Sequence, residues 1–144
     1  MATLSAYGAN YTVASNPTPS TLIGDGLWKG KVHCLTDIVT VATAADAASL
    51  FYVGKLPKGA SPLYTVFCTN ETSTATGTIG YASSTAALGA ITAMNTTKQQ
   101  VVIPAVAQAN SPLTADQDIY ITTATTGTGA GNVFTVAIFY AIGG

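Results

Sequence analysis

The residues able to do chemistry are few and badly placed for it. The chain has one histidine, His33, in "KVHCL" beside Cys34. A cysteine–histidine pair makes an activated thiolate only when both side chains reach one spot, and adjacent residues of a strand point to opposite faces. With no second histidine and no cysteine pair at metal-ligand spacing, a zinc site lacks ligands. Asp116 and Asp118 in "ADQDI" share a face if extended. A calcium site needs six or more oxygens, usually from a glycine-supported loop, so the pair reads as the solvated start of a strand. Acid–base hydrolysis needs one carboxylate raised by burial, and six scattered acids single out no pair. The glycine runs "GDG" (24–26) and "GTGAG" (127–131) stand between no strand and helix and precede no Lys-Ser or Lys-Thr, so they read as turns. Three Asn-X-Thr triplets, at Asn10, Asn70 and Asn95, are chance matches in a threonine-rich chain. An enzyme is not expected, and catalytic, metal and cofactor residues are assigned to none.

The elements that would carry these residues are short strands. From Leu27 onward, apolar runs alternate with turn signals: "LWKGKVHCL", "DIVTV", "LFYVGKL", "LYTVFCTNE", "QQVVIPAV", "DIYITTATT" and "NVFTVAIFYAI". Pro104 demotes the end of its run to a sheet edge. "SSTAALGAITAMN" is ambiguous: Leu88, Ile91 and Met94 sit three apart, which suits a helical turn, and it reads as irregular. "GTGAGN" reads as a hairpin joining the last two strands. "LPKGA", Leu56–Ala60, reads as a corner: Pro57 fixes φ, Gly59 permits a left-handed backbone, and Lys55 and Lys58 face solvent. The last run is the most informative. Phe134, Val136, Ile138, Tyr140 and Ile142 form a core face. Val133, Thr135, Ala137, Phe139 and Ala141 form a second, small but apolar face, which suits a central strand or a subunit interface.

About eight short strands without a long helix indicate an all-β chain, a jelly-roll-like β-sandwich on strand count. An immunoglobulin pattern is excluded, since Trp28 precedes both cysteines. Residues 1–26 differ. "ASNPTPSTLIGDG" shows no alternation and reads as an extended N-terminal arm ahead of a sandwich domain at 27–144, with Tyr7, Tyr11 and Leu22 as apolar groups for a neighbour.

Composition narrows the function further. Only 8% of residues are charged, arginine is absent, and the net charge is -1. No basic stripe for a phosphate backbone exists, so nucleic acid is not an expected partner. No apolar run approaches the ~18 residues of a membrane span, so no membrane is expected. A surface so poor in charge is weakly protected against association, which points to burial against copies of itself or a partner. Cys34 and Cys68 read as reduced, small apolar core residues.

The order "LFYVGKLPKGA", a strand, "TATGTIGYASSTAAL" and "DIYITTATTGTGAGNVFTVAIFY" resembles a recurrent type of small bacteriophage virion protein. In that type a strand runs into a Leu-Pro-Lys-Gly-Ala corner, here Leu56–Ala60, followed by a Thr/Ala-Gly segment like Thr74–Tyr81. A terminal β-hairpin carries Ala-Gly, like Ala130 and Gly131, and a late tyrosine like Tyr140. The resemblance covers about residues 48–142 and leaves the arm outside. Related virion proteins include capsid cement (decoration) proteins, jelly-roll trimers that tie neighbouring capsomers together. It implies a homotrimer on the capsid surface, made in the host cytoplasm, whose partners are itself and the major capsid protein. Tyr7, Tyr11, Leu22, Val133 and Phe139 are the interface candidates. A head-fibre or tail module binding a receptor or glycan, and a self-assembling shell or tail-tube subunit, are the alternatives. The single tryptophan weakens the first and the short chain weakens the second.

Overall fold

A computed structural model describes residues 32–41, 47–70, 75–94, 99–105, 111–124 and 129–142. They form eight strands: β1 (Val32–Thr40), β2 (Leu50–Leu56), β3 (Ala60–Thr69), β4 (Gly77–Tyr81), β5 (Ser84–Ile91), β6 (Gln100–Val102), β7 (Gln117–Thr123) and β8 (Val133–Ile142). They pair into two antiparallel four-stranded sheets, β1-β8-β3-β6 and β2-β7-β4-β5. Successive strands lie in opposite sheets at every link except β4 to β5, which is a hairpin turning at Ala82 and Ser83. That alternation is a jelly roll, the expected fold. The arm at 1–26, with Tyr7, Tyr11 and Leu22, lies outside the described residues.

Three local expectations are corrected. "LWKGKVHCL" and "DIVTV" contribute to one strand, β1, which runs through Asp37 without a break. "GTGAGN" does not close a hairpin: β8 has β1 on one edge and β3 on the other, so the chain crosses from one sheet to the other there. "STAALGAI" is strand β5, with Ala87, Leu88 and Ile91 buried. Gly89 explains the three-residue spacing. At φ +123° it breaks the two-residue alternation, and a side chain on it would run into Val102 of β6 and the Ile103 carbonyl.

The core lies between the sheets. Phe134, Val136 and Ile138 of β8 are buried, as their alternation predicts, and face Ile79, Ile119 and Ile121 of the other sheet. Phe134 meets Phe51 edge-on at 5.3 Å and Phe67 tilted at 5.8 Å. Phe67 belongs to its own sheet and Phe51 to the opposite one, so this trio bridges the layers. Tyr81 is buried in the core, and its hydroxyl has no hydrogen-bond partner among the described residues. Burial pushes the phenol up from its ordinary value.

The Leu56–Ala60 corner carries the chain between sheets. The Ala60 N–H donates to the Pro57 carbonyl at 3.1 Å with Gly59 at φ +84°, the third position of a type II turn. Gly59 N–H donates to Leu113 O at 2.8 Å, Leu113 N–H to Ala60 O at 2.9 Å, and Lys58 N–H to Asp116 Oδ1 at 2.8 Å. Lys55 pairs with Asp118 at 3.4 Å, both side chains about half exposed, and such a pair contributes little. The lysines thus ornament a corner whose geometry is set by backbone bonds.

The cysteines are the fourth correction: neither is in the core. Cys34 is exposed on β1 and Cys68 is half-buried on β3. They sit opposite Phe139 and Thr135 of β8, whose small and apolar second face they share. Two strand spacings of ~4.8 Å and four residues of offset put them beyond the ~7 Å reach of a disulfide.

Denaturant titrations should show Gly59→Val destabilised by about 1–2 kcal/mol, since nothing crowds that site and the cost is the left-handed backbone alone. Lys58→Ala should stay within about 0.5 kcal/mol, because its backbone N–H makes the bond to Asp116. Tyr81→Phe should match or exceed the parent, since it removes an unpartnered buried hydroxyl. Because the folded phenol is raised, parent stability should fall as pH rises above ~10, and less so in Tyr81→Phe. A non-reducing mass should show both thiols free, and Cys34→Ala should change the stability of the fold by less than about 0.5 kcal/mol.

Candidate functional site: an uncharged sheet face

Residues directly opposite each other across paired strands share a face, so the registers define both surfaces of the first sheet. The inner surface takes Phe134, Val136 and Ile138 of β8 with Leu35 and Val39 of β1. The outer surface takes Val133, Thr135, Ala137, Phe139 and Ala141 of β8. Beside them lie Val32, Cys34, Thr36, Ile38 and Thr40 of β1, Ser61, Tyr64, Val66 and Cys68 of β3, and Val101 of β6. No Asp, Glu, Lys or Arg stands among them. Val32 is 57% exposed, Ile38 65% and Val101 61%, and Ile103, just past the end of β6, is 71% exposed. Near the middle, Tyr64 stacks on Phe139 with centroids 4.6 Å apart and planes 17° off parallel. One end holds a shallow depression lined by Cys68, Thr69, Asn70, Val133 and Thr135. There the Asn70 side-chain oxygen accepts from the Val133 N–H at 2.6 Å, which ties the end of β3 to the start of β8.

The outer surface of the second sheet is chemically different. It carries the Lys55–Asp118 pair, with Tyr52 edge-on to Tyr120 at 5.7 Å. Lys58 and Asp116 lie in the adjoining corner. Charge among the described residues therefore gathers on one side of the sandwich, with Asp37 the exception, on β1 opposite Val136.

Of the interface candidates within the described residues, Val133 and Phe139 both lie on the uncharged face and are half-buried by their neighbours. Ile38 and Val101, more exposed than either, were not expected there. Their signal was the uncharged alternation Val32–Cys34–Thr36–Ile38–Thr40, masked by the Asp37 that splits the run. His33 is exposed, stacks on Tyr140 at 5.4 Å, and lies on the opposite side of β1 from Cys34, as adjacent positions require. Asp116 and Asp118 are engaged by Lys58 N–H and Lys55, and no group of three metal-ligating side chains occurs among the described residues. Gly131, at φ +83°, donates to Val41 O at 2.8 Å as part of the turn into β8.

No protein-family model matches the chain, and no curated protein matches it in sequence. Solved structures do match in shape. A chain in the capsid of Ralstonia phage GP4 superposes at TM-score 0.68 and 16% identity, over 92% of this chain and 94% of that one. A chain of the cyanophage Pam1 capsid asymmetric unit gives TM-score 0.67 and 20% identity, over 96% and 99%. A chain of the acidic stable capsid of Helicobacter pylori bacteriophage KHP30 gives TM-score 0.57 and 10% identity, over 77% and 87%. Near-complete coverage on both sides makes the first two about the length of this chain. The jelly roll described here is therefore a fold that this chain shares, almost end to end, with small chains found in phage capsids.

Proposed function

We propose that this chain is a bacteriophage virion protein of the capsid decoration class: a homotrimer that binds the outer capsid lattice and stabilises the head by non-covalent contact. The observation that carries this reading is the match, over nearly the full length of both partners, to chains of its own size in phage capsids. The uncharged face supplies adhesive surface, and a trimer multiplies it. Each contact with the lattice is modest, but several engage at once, and the linked contacts hold far more tightly than one. The role is structural, with no reacting group, and its site is the virion surface. The N-terminal arm extends the reach of each subunit, with Tyr7, Tyr11 and Leu22 as its anchors and the major capsid protein as its partner.

Light scattering of the full chain at micromolar concentration should give about three times the 14.5 kDa chain mass. Mixed with capsids that lack it, the protein should co-sediment with them and raise the temperature at which they rupture. A stable monomer, or capsids neither bound nor stabilised, would contradict the reading. Removing residues 1–20 should leave the melting temperature nearly unchanged and weaken capsid binding. A much lower melting temperature would place the arm within the fold instead.

A further inference from the structure

The two outer surfaces of the sandwich differ in charge, and each subunit of an assembly must turn some surface to its neighbours. We propose that the uncharged outer face of β1-β8-β3-β6 is covered by second copies of this chain, while the outer face of β2-β7-β4-β5 stays free of the contact between copies. The inference rests on the oligomeric part of the preceding reading and is independent of what the oligomer binds.

Four observations favour a copy over another occupant. First, the described residues of the face carry no charge, so they offer a foreign partner no electrostatic pattern to recognise, whereas a copy brings the same apolar chemistry. With a chain net charge of -1, copies repel one another little. Second, the face is large enough. Strands of 9 and 10 residues rising ~3.3 Å each and spaced ~4.8 Å apart give a footprint of about 450 Å². That is over half of the ~800 Å² a side in a standard interface, before side-chain relief is counted. Third, the Tyr64–Phe139 stack is a rigid aromatic pair near the centre, where binding energy concentrates. Fourth, the only charge among the described residues of β1, Asp37, lies on the inner side of the strand and its carboxylate accepts the Ile38 N–H at 2.8 Å, so a charge guards the edge while the outer side of β1 stays uncharged and open to a neighbour.

The native thiols report on the face directly, since Cys34 and Cys68 both belong to it. In the full-length oligomer, Cys34 should react with a maleimide more than about tenfold slower than in the unfolded chain. Ala90→Cys, placed on the exposed outer face of the other sheet in a Cys34→Ser, Cys68→Ser background, should react nearly as fast as when unfolded. Ile38→Lys, which puts a charge into the face, should yield a folded monomer by light scattering and circular dichroism, with Cys34 now reactive. If Cys34 of the oligomer reacts as fast as Ala90→Cys, copies meet elsewhere and the proposal fails, though the oligomer stands. If Cys34 stays protected in the Ile38→Lys monomer, the chain's own N-terminal segment covers the face, and the proposal is again overturned. A parent protein that is monomeric refutes the oligomeric reading itself.

Discussion

Strand β8 sets the constraint on which the rest of the molecule depends. It is hydrogen-bonded on both edges, by β1 and β3, and apolar on both faces. A sandwich of two sheets has only one interior. Phe134, Val136 and Ile138 take it, so Thr135, Ala137 and Phe139 must point away from the core, into a surface that β1, β3 and β6 continue without a charge. The fold is thereby satisfied while one surface is left short of good solvation, and the proposed association follows from that imbalance.

Closing two sheets around this strand requires the chain to change layers repeatedly, and a few residues make the crossings possible. Gly59 supplies the left-handed step of the corner between β2 and β3. Gly54, at φ +136° in the β2 bulge, lies under Leu35, whose Cδ2 would stand 2.9 Å from a Cβ there, so β1 and β2 can approach across the open side. Gly89 does the same for β5 and β6 on the other side. Between these seams, the Phe51–Phe134–Phe67 contacts join the layers at the centre. Long-range pairing of this kind gives a rigid platform for an exposed surface, at the expense of slow folding.

The sequence made the strands legible where alternation was strong and obscured them where a glycine broke it. Both faces of β8 follow from side-chain spacing, and the edge position of β6 from Pro104, which cannot donate to a ladder. Strand β5 did not, because Gly89 converts a two-residue period into a spacing of three that mimics a helical turn. The supposed terminal hairpin failed for another reason: which strands pair is a property of the whole sheet, and glycines mark a turn without saying where it leads. The cysteines were placed in the core on residue type, yet position on β1 and β3 decided their side. At the candidate site, Val133 and Phe139 were foreseeable from one strand. A surface assembled from four strands, with Ile38 and Val101 its most exposed large hydrophobic members on those strands, needed the registers.

The central claim is that a jelly roll with one uncharged face serves a phage capsid by burying that face between its own copies. An image reconstruction of capsids carrying this protein, at a resolution that traces strands, tests it most directly. The account predicts jelly rolls on the outer surface of the lattice, grouped in threes, with Tyr64, Phe139 and Ile38 of each copy against a neighbouring copy and the Lys55–Asp118 side turned away from that contact. Density showing the β1-β8-β3-β6 face open to solvent, or copies that do not touch one another, would contradict it.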